Sequence, residues 1–372
     1  MDRTGQHSKG FATTLALVLA LIPAGAATFS TLIPFLLGDN PPTYQQLPVQ
    51  CSDTVPKLSP GQPIKVMSWN IQFLAGAYYP YWTPGFDQPL LKPEDIDRNL
   101  ERIVEVIREE NPDILQLQEV HRTHPLTHHR DQLAMLYEKL SDFLPCYSSA
   151  SYWKARFIPS KYLTGNVDMA MVTMSRFHIK SASKQLLPAT RRTRILVPFY
   201  PRHSLLETNF TLSQGGQFTT INTHLDCPSI GRGRMDEQIH ALLKRITQLT
   251  EEGRLWMLSG DFNLTPPGFY PKLPDNQKSF YSEKSPLTPF YKNFHGIPQL
   301  KDIHGAEGKR WLTAYDLNRD YLDLLIDYIF HPHYINSGDD RVRHLPLDIS
   351  DHMPVFTTLY LSPTEISPDT DN

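Results

Sequence analysis

A buried strand, an amphipathic helix and a second buried strand follow one another twice in this chain, and this pattern constrains the fold most. In the first unit we predict strands at residues 64–69 and 114–118, with a helix over 93–110 between them. Apolar residues three and four positions apart mark one face of a helix, whereas short apolar runs mark buried strands. Two strands joined through a helix lie parallel, with the helix covering one face of their sheet.

The second unit repeats this order later in the chain. Its strands are predicted at 218–223 and 255–258, with apolar residues at helical spacing from Met235 to Leu249 between them. Gly215-Gly216 lies between two β-like runs and predicts a hairpin. Two further strands are predicted at 324–330 and 355–360. This combination of strand–helix–strand units and hairpins predicts mixed sheets covered by helices.

The N-terminus is predicted to be a membrane or export segment. Arg3 and Lys9 precede an uncharged run over residues 10–38 whose centre is strongly apolar. The run is long enough to span a bilayer, but the small residues at 24–26 resemble a cleavage site, so a signal-anchor and a cleaved signal peptide are both open. Basic residues before the segment predict a chain that is anchored and faces outside the cytoplasm, or is secreted or periplasmic.

Composition divides the rest of the chain. Residues 39–62 are rich in Pro, Gln and Ser with little periodicity, which predicts a linker after the N-terminal segment 1–38. Residues 63–362 contain the predicted strands and helices of one domain, and 363–372 form a polar, flexible tail. The net charge of -3 argues against a dedicated nucleic-acid binder, which usually has a basic surplus, without excluding one.

The three cysteines fit no zinc spacing. In an oxidising compartment two of them can pair, leaving the third as a thiol. The alternative is that Cys146 and Cys227 are small core residues. The sequence leaves both interpretations open.

Polar side chains fall at or near the ends of the predicted strands, and Asp327 interrupts the apolar run 324–330. Buried carboxylates and amides are unfavourable unless a partner satisfies them. One cleft at a rim of stacked sheets, holding a cation and a phosphate, accounts for all of them. The residues are Asn70, Glu119, His224, Asp261, Asn263, Asp327, Asp351 and His352.

Each residue type suits such a cleft. Carboxylate oxygens and an amide carbonyl are hard ligands for Mg²⁺ or Mn²⁺. Imidazole transfers protons or contacts phosphate near neutral pH. The sequence therefore predicts a phosphate-handling metal site.

Six short motifs carry these residues in one order, and together they resemble the endonuclease/exonuclease/phosphatase superfamily from about residue 64 to 361. They are Ser68-Trp69-Asn70, Leu117-Gln118-Glu119-Val120, Thr223-His224-Leu225, Gly260-Asp261-Phe262-Asn263, Ile326-Asp327-Tyr328 and Ser350-Asp351-His352-Met353-Pro354. The resemblance implies a four-layer α/β sandwich of two packed mixed β-sheets flanked by helices. It also implies divalent-metal-dependent hydrolysis of a phosphate ester, most directly a phosphodiester.

The same resemblance implies a role for each residue on the metal side. Glu119 is similar to the principal metal ligand of the superfamily, with Asn70 beside it. Asp351 lies close to the metal side. Asp261 is similar to the group that orients or activates the attacking water.

For the phosphate side, the resemblance makes His224 and Asn263 the groups that contact the phosphate and His352 the other catalytic imidazole. Asp327 is the predicted partner of His352, because Asp351 is adjacent to it and adjacent side chains on an extended chain point apart. A neighbouring carboxylate favours imidazolium, so the pKa of His352 is expected to rise.

The substrate class stays open. His224 stands where abasic-site endonucleases usually carry Asn, and the motifs at Asp261 and Asp327 lack the tryptophan and arginine residues of inositol phosphatases. A sphingomyelinase-like enzyme acting on a lipid head group and a nuclease acting on extracellular nucleic acid both fit. A non-catalytic binding protein with this fold predicts lost ligands, and none of the motifs has lost one. No obligate protein partner is evident.

Two clusters outside the motifs have structural explanations as well as functional ones. The basic stretch 191–194 fits phosphate or anionic lipid contacts, or a solvated strand edge. His121, His124, His128 and His129 fit no closed zinc spacing and predict a polar loop.

Overall fold

The protein is described from a computed structural model that covers residues 36–52, 54–76, 79, 90–158, 164–189, 197–227, 232–315 and 320–362. The strands are β1 (Tyr44–Leu47), β2 (Pro63–Asn70), β3 (Ile114–Thr123), β4 (Cys146–Ile158), β5 (Gly165–Ser175), β6 (Ile179–Leu186), β7 (Ser204–Thr211), β8 (Gln217–His224), β9 (Leu255–Asp261), β10 (His295–Ile297), β11 (Asp327–His331), β12 (Asn336–Val342) and β13 (Val355–Tyr360). The α-helices are α1 (Pro93–Glu110), α2 (Gln132–Leu140), α3 (Arg232–Glu251), α4 (Asp275–Lys278), α5 (Thr288–Asn293) and α6 (Leu300–His304).

These strands form two mixed sheets that pack face to face. The seven-stranded sheet has the order β1-β6-β7-β8-β9-β11-β10, and the six-stranded sheet has the order β12-β13-β2-β3-β5-β4. Helices α1 and α2 pack on the six-stranded sheet, and α3 packs on the seven-stranded sheet. The predicted α/β sandwich of two packed mixed sheets flanked by helices is therefore confirmed.

Each sheet contains one of the predicted strand–helix–strand units. Strands β2 and β3 pair in parallel through α1, and β8 and β9 pair in parallel through α3. Helix α1 has the predicted bounds because its apolar face repeats at helical spacing and Asn111, in the left-handed conformation, ends it. Ile96, Ile103 and Ile107 on that face are fully buried, which stabilises the fold by roughly 1.5–3 kcal/mol per side chain.

Part of the predicted linker belongs to the folded domain. Residues 44–47 form β1, which pairs antiparallel with β6, and Cys51 forms a disulfide with Cys146, 95 positions away. The linker prediction is wrong for these residues because backbone hydrogen bonds and a covalent bond, rather than a periodic apolar pattern, hold them. Of the two cysteine interpretations, pairing is the one observed. Cys146 is buried, but Cys227 is exposed and is not a core residue.

Strand β11 is shorter than the strand predicted over 324–330, since it begins at Asp327. Leu324 makes only an isolated bridge to Ala314, while Leu325 is fully buried in the core. Burial between elements gives the same apolar signal as a strand, which explains the error. Asp327 therefore begins a strand instead of interrupting one.

The predicted terminal segments lie largely outside the described residues. Among the described helices, none is long and apolar enough to cross a membrane. Most of the uncharged run over 10–38, the basic stretch 191–194 and the tail 363–372 are not among the described residues. The membrane segment and the tail therefore stay predictions.

Candidate active site

The two parallel strand pairs bring the predicted site residues to one edge of the sandwich. Asn70 ends β2, and His224 at the end of β8 pairs with Asp261 at the end of β9. Asp327, at the start of the antiparallel β11, lies opposite Asp261. The Asn70 Nδ2 atom bridges the sheets, since it donates to Glu119 Oε1 (3.2 Å) and to Asp261 Oδ2 (3.1 Å).

A bulge in β3 presents Glu119 at this edge. The register with β5 shifts between Leu117 and Val120, and Glu119 has a φ of +58°. A bulge re-aims one side chain out of the regular alternation, and the left-handed conformation stores strain on the order of 1–3 kcal/mol. Glu119 was predicted to end its strand, but β3 continues to Thr123. The continuation passes the edge, and the bulge directs the carboxylate into the site.

Gly260 allows Asp261 to stand beside His224. Its φ is +144°, and a Cβ atom there would lie 1.9 Å from the carbonyl oxygen of Thr223. No larger residue fits that backbone approach. After Asp261, the backbone N–H of Asn263 donates to Asp261 Oδ1 (2.8 Å), and Asn263 Nδ2 donates to the carbonyl of Leu225 (3.0 Å). This turn fixes Asp261 while its Oδ2 atom faces the site.

His352 forms the predicted pair with Asp327. Its Nδ1 atom lies 2.8 Å from Asp327 Oδ2, whereas its Nε2 atom is 3.6 Å from Asp261 Oδ2 and 4.0 Å from Asp351 Oδ1. The indole N–H of Trp69 holds the backbone carbonyl of His352 at 2.9 Å. Burial lowers the pKa of His352, but the carboxylates of Asp327 and Asp261 outweigh burial, so this pKa is raised well above its usual value.

His224 lies on the opposite side of Asp261 from the pair formed by His352 and Asp327. Its Nε2 atom is 3.5 Å from Asp261 Oδ2 and 3.9 Å from Glu119 Oε1, and its Nδ1 atom is 3.1 Å from the Tyr152 hydroxyl. Burial is the main cause that lowers the pKa of His224 to about 4. The two imidazoles therefore differ, with His352 favouring the charged form and His224 the neutral one.

This set of side chains is the one expected from the six motifs, and the comparison with known families agrees with it. The sequence matches the Endonuclease/Exonuclease/phosphatase family over residues 67–352. The chain belongs to that family. No curated protein sequence matches the chain.

Solved structures of the same fold agree with this membership. The endonuclease/exonuclease/phosphatase from Beutenbergia cavernae is 21% identical with a TM-score of 0.58, over 81% of this chain and 72% of that one. The human Nocturnin catalytic domain with bound sulfate is 20% identical with a TM-score of 0.52, over 84% of this chain and all of that one. The enzyme-family protein from Bacteroides vulgatus is 16% identical with a TM-score of 0.52, over 81% and 100%. These likenesses show a shared fold.

In this family member, the carboxylates fit a divalent cation. Asp351 Oδ1 is buried without a hydrogen-bond partner, although carboxylate oxygens in that position need one. Burial and the Asp351 carboxylate together raise the pKa of Glu119 to about 8. Two half-buried acids that repel each other, one with an unsatisfied oxygen, are the donors that a hard cation favours.

A second possible metal cluster is less suitable. Ligand atoms of Asp261, Asp327 and His352 all lie within 4.8 Å of one another. However, His352 Nδ1 and Asp327 Oδ2 are already hydrogen bonded to each other at 2.8 Å, so two of the three residues are engaged as a pair. The geometry of this trio suits proton transfer better than metal binding.

The structure thus brings all eight predicted residues together, and it adds residues that sequence reasoning missed. Gln118 Nε2 donates to Asn222 Oδ1 (2.8 Å), and Asn222 Nδ2 donates to the carbonyls of Leu117 and Val172 (3.0 Å each). These amides tie the two sheets together just behind the site. The sequence signal for Gln118 and Asn222 is a polar residue inside a buried strand, next to a motif residue. Tyr152, on β4, carries no motif signal at all.

The histidine cluster is a polar loop only in part, since His128 and His129 are exposed turn residues. His121 and His124 are buried, and their rings stack at 4.2 Å. His128 Nε2 contacts the carbonyl of Leu91, and His129 Nδ1 contacts Thr123 Oγ1. The loop prediction is wrong for His121 and His124, because aromatic stacking makes buried imidazoles favourable packing groups.

Proposed function

We propose that this chain hydrolyses a phosphodiester with the help of a divalent cation. One observation carries the proposal: buried carboxylates, an amide and two imidazoles of opposite protonation preference converge at one edge of both sheets. A structural role explains any one of them, but not their convergence around Asp261. Membership of the family supports the same reaction class.

Glu119 and Asp351 are the proposed metal ligands, with Asn70 beside them. Asn70 Oδ1 accepts the backbone N–H of Gln72 at 3.0 Å, so its Nδ2 faces the carboxylates and links Glu119 to Asp261. When bound, the cation supplies positive charge that stabilises the phosphate oxygens as charge develops. We propose Mg²⁺ or Mn²⁺, because the donors are oxygen atoms.

The remaining residues act on water and phosphate. Asp261 Oδ2 orients the attacking water, while Asn263 and the His224 Nε2–H donate to phosphate oxygens. A bond forms between the water oxygen and phosphorus as the ester P–O bond breaks. The water loses a proton and the leaving oxygen gains one. We propose that Asp261 takes the proton that the water loses and that charged His352, held by Asp327, gives a proton to the leaving oxygen.

The assay that tests this function uses bis-p-nitrophenyl phosphate, with p-nitrophenyl phosphate as the monoester comparison. We expect Mg²⁺-dependent turnover of the diester, its loss in EDTA and its recovery when excess Mg²⁺ or Mn²⁺ is added. A panel of sphingomyelin, other phospholipids, single-stranded DNA and RNA then separates the lipid from the nucleic-acid alternative. Turnover that EDTA leaves unchanged contradicts the metal assignment, and binding without turnover of any diester supports a non-catalytic protein.

We also propose that the domain works outside the cytoplasm, anchored or released there by its N-terminal segment. The Cys51–Cys146 disulfide supports this, because such bonds persist in oxidising compartments. The disulfide also limits where a shortened chain can begin. A start at residue 62 removes β1 and Cys51, whereas a start at residue 39 keeps both.

Fusion of alkaline phosphatase after residue 362 tests the location. In a bacterial host we expect an active reporter for the full chain and an inactive one when residues 1–38 are deleted. The reason is that alkaline phosphatase, the reporter, needs an oxidising compartment. Protein from the active fusion should show one of the three native thiols before reduction and three after it. Equal reporter activity with and without residues 1–38 contradicts the export segment.

A further inference from the structure

Tyr152 joins the two halves of the candidate site. It lies on β4 in the six-stranded sheet and is 2% exposed, yet its hydroxyl reaches His224 Nδ1 in the seven-stranded sheet at 3.1 Å. One buried phenol on the six-stranded sheet therefore contacts the proposed phosphate-binding imidazole of the other sheet.

The direction of these hydrogen bonds follows from what each group can donate. A phenol hydroxyl has one proton, and a neutral imidazole has one nitrogen that donates and one that accepts. Because burial raises the pKa of Tyr152 well above its ordinary value, the phenol keeps its proton, which is available for His224 Nδ1. On the other side of the ring, Nε2 faces the Asp261 and Glu119 carboxylates, which accept only. Both sides favour the proton on Nε2.

We propose that Tyr152 is a positioning residue that fixes His224 in its Nε2–H tautomer and aims that N–H at the substrate phosphate. The contact with the substrate phosphate rests on the proposed function, whereas the tautomer of His224 does not. Tyr152 touches no reacting atom. It acts through the imidazole, as partners of catalytic and metal-bound histidines do when they select one ring nitrogen.

A second histidine–carboxylate pair holds this arrangement from behind. His203 Nδ1 donates to the backbone carbonyl of His224 at 2.6 Å, and His203 Nε2 lies 3.0 Å from Asp226 Oδ1. Both ring nitrogens face oxygen acceptors. It also stacks beside the Tyr152 ring, with centroids 5.6 Å apart. The end of β8 and the phenol are thereby fixed together, which gives Asp226 of the Thr223-His224-Leu225-Asp226 stretch a supporting role.

The tautomer is measured directly by ¹⁵N NMR of the full chain labelled at histidine, with the His224 signals assigned by their loss in His224→Gln. In the wild type we expect an unprotonated Nδ1 and a protonated Nε2. In Tyr152→Phe, both nitrogens should move toward the shifts of a tautomer mixture. A wild type with the proton on Nδ1 overturns the proposal, even if no variant can be purified.

Kinetics provide the second measurement. Tyr152→Phe should lower kcat for bis-p-nitrophenyl phosphate by about 3- to 10-fold, the scale of one buried hydrogen bond, with KM nearly unchanged. The matched control is Tyr147→Phe on the same strand, whose ring packs against Tyr137 instead, and it should leave both kcat and the His224 signals unchanged.

The two readouts separate the two proposals. A wild type with the expected tautomer but no diester turnover contradicts the proposed function alone. A turnover-competent Tyr152→Phe enzyme whose His224 keeps the Nε2 proton, with kcat equal to the wild type, overturns the positioning role alone.

Discussion

The substitution Glu119→Gln is expected to lower Mg²⁺-dependent turnover roughly 10³-fold while the fold is retained. A neutral amide of the same shape is a poorer ligand for a hard cation than a carboxylate. The charge stabilisation that a bound cation supplies is worth several kcal/mol, and each 1.4 kcal/mol is about a factor of ten in rate. The measurement is kcat/KM for bis-p-nitrophenyl phosphate across a Mg²⁺ titration. Turnover equal to the wild type at all Mg²⁺ concentrations contradicts the assignment of Glu119.

Thermal unfolding gives a readout of Glu119 that is independent of turnover. Because the folded-state pKa of this acid is raised to about 8, its burial destabilises the metal-free fold increasingly from about pH 4.5 to pH 8. In EDTA at pH 8, Glu119→Gln should therefore have a higher Tm than the wild type, and the difference should vanish near pH 4.5. Added Mg²⁺ should raise the Tm of the wild type but not of the variant.

The matched control for this experiment is Glu207→Gln. That carboxylate is buried on β7, away from the site, and forms a two-pronged ion pair with Arg245 of α3 (2.6 and 2.8 Å). Removing its charge leaves Arg245 without its partner and should lower the Tm. The Mg²⁺-induced rise should persist. If Glu207→Gln loses that rise as well, the thermal shift does not report on the proposed site.

The sequence predicts elements that bury one regular face. Helix α1 has its predicted bounds, Pro93–Glu110, because its apolar positions recur at helical spacing and Pro112 follows its end. Strand β1 was missed because it pairs at a sheet edge through its backbone, where side chains carry little periodic signal. The sequence wrongly predicts a strand over 324–326, because buried loop residues and buried strand residues are equally apolar.

The site was predictable as a set of residues, but not as a geometry. Polar residues at the carboxyl ends of parallel strands must meet at one edge, which follows from the pairing of β2 with β3 and of β8 with β9. The bulge that re-aims Glu119 depends on a local register shift against β5, and no residue type in the sequence predicts that shift. Tyr152 reaches the site from β4 through tertiary packing, so only the structure reveals it.

The pair formed by Asp327 and His352 is expected to have the other large effect. The 2.8 Å hydrogen bond to Nδ1 orients the ring so that Nε2 faces Asp261 Oδ2, and the carboxylate favours the charged imidazole. Asp327→Asn keeps the shape and removes the charge. It should lower kcat/KM by about 10²- to 10⁴-fold, the usual scale for general acid–base catalysis, and His352→Ala should cost a similar factor.

The control pair is His295 and Asp340, whose nearest atoms are 3.9 Å apart. His295 pairs with His331 at the far end of β11, whereas Asp327 begins that strand at the site. Asp340→Asn and His295→Ala therefore change a histidine–carboxylate pair between β10 and β12 of the two sheets without touching the proposed chemistry. Both should keep kcat/KM near that of the wild type.

A double-mutant cycle on kcat/KM decides whether Asp327 and His352 act as one unit. If Asp327 works only by orienting and charging His352, its removal has nothing further to disrupt once the imidazole is gone, so the double variant should resemble His352→Ala. Two losses that multiply would mean that Asp327 acts on the substrate or on Asp261 by a separate route. That outcome is physically accessible, because the Asp327 and Asp261 residues are direct neighbours across β11 and β9. The cycle therefore distinguishes a histidine held for proton transfer from two independent acids. If both single variants keep the kcat/KM of the wild type, this pair takes no part in proton transfer.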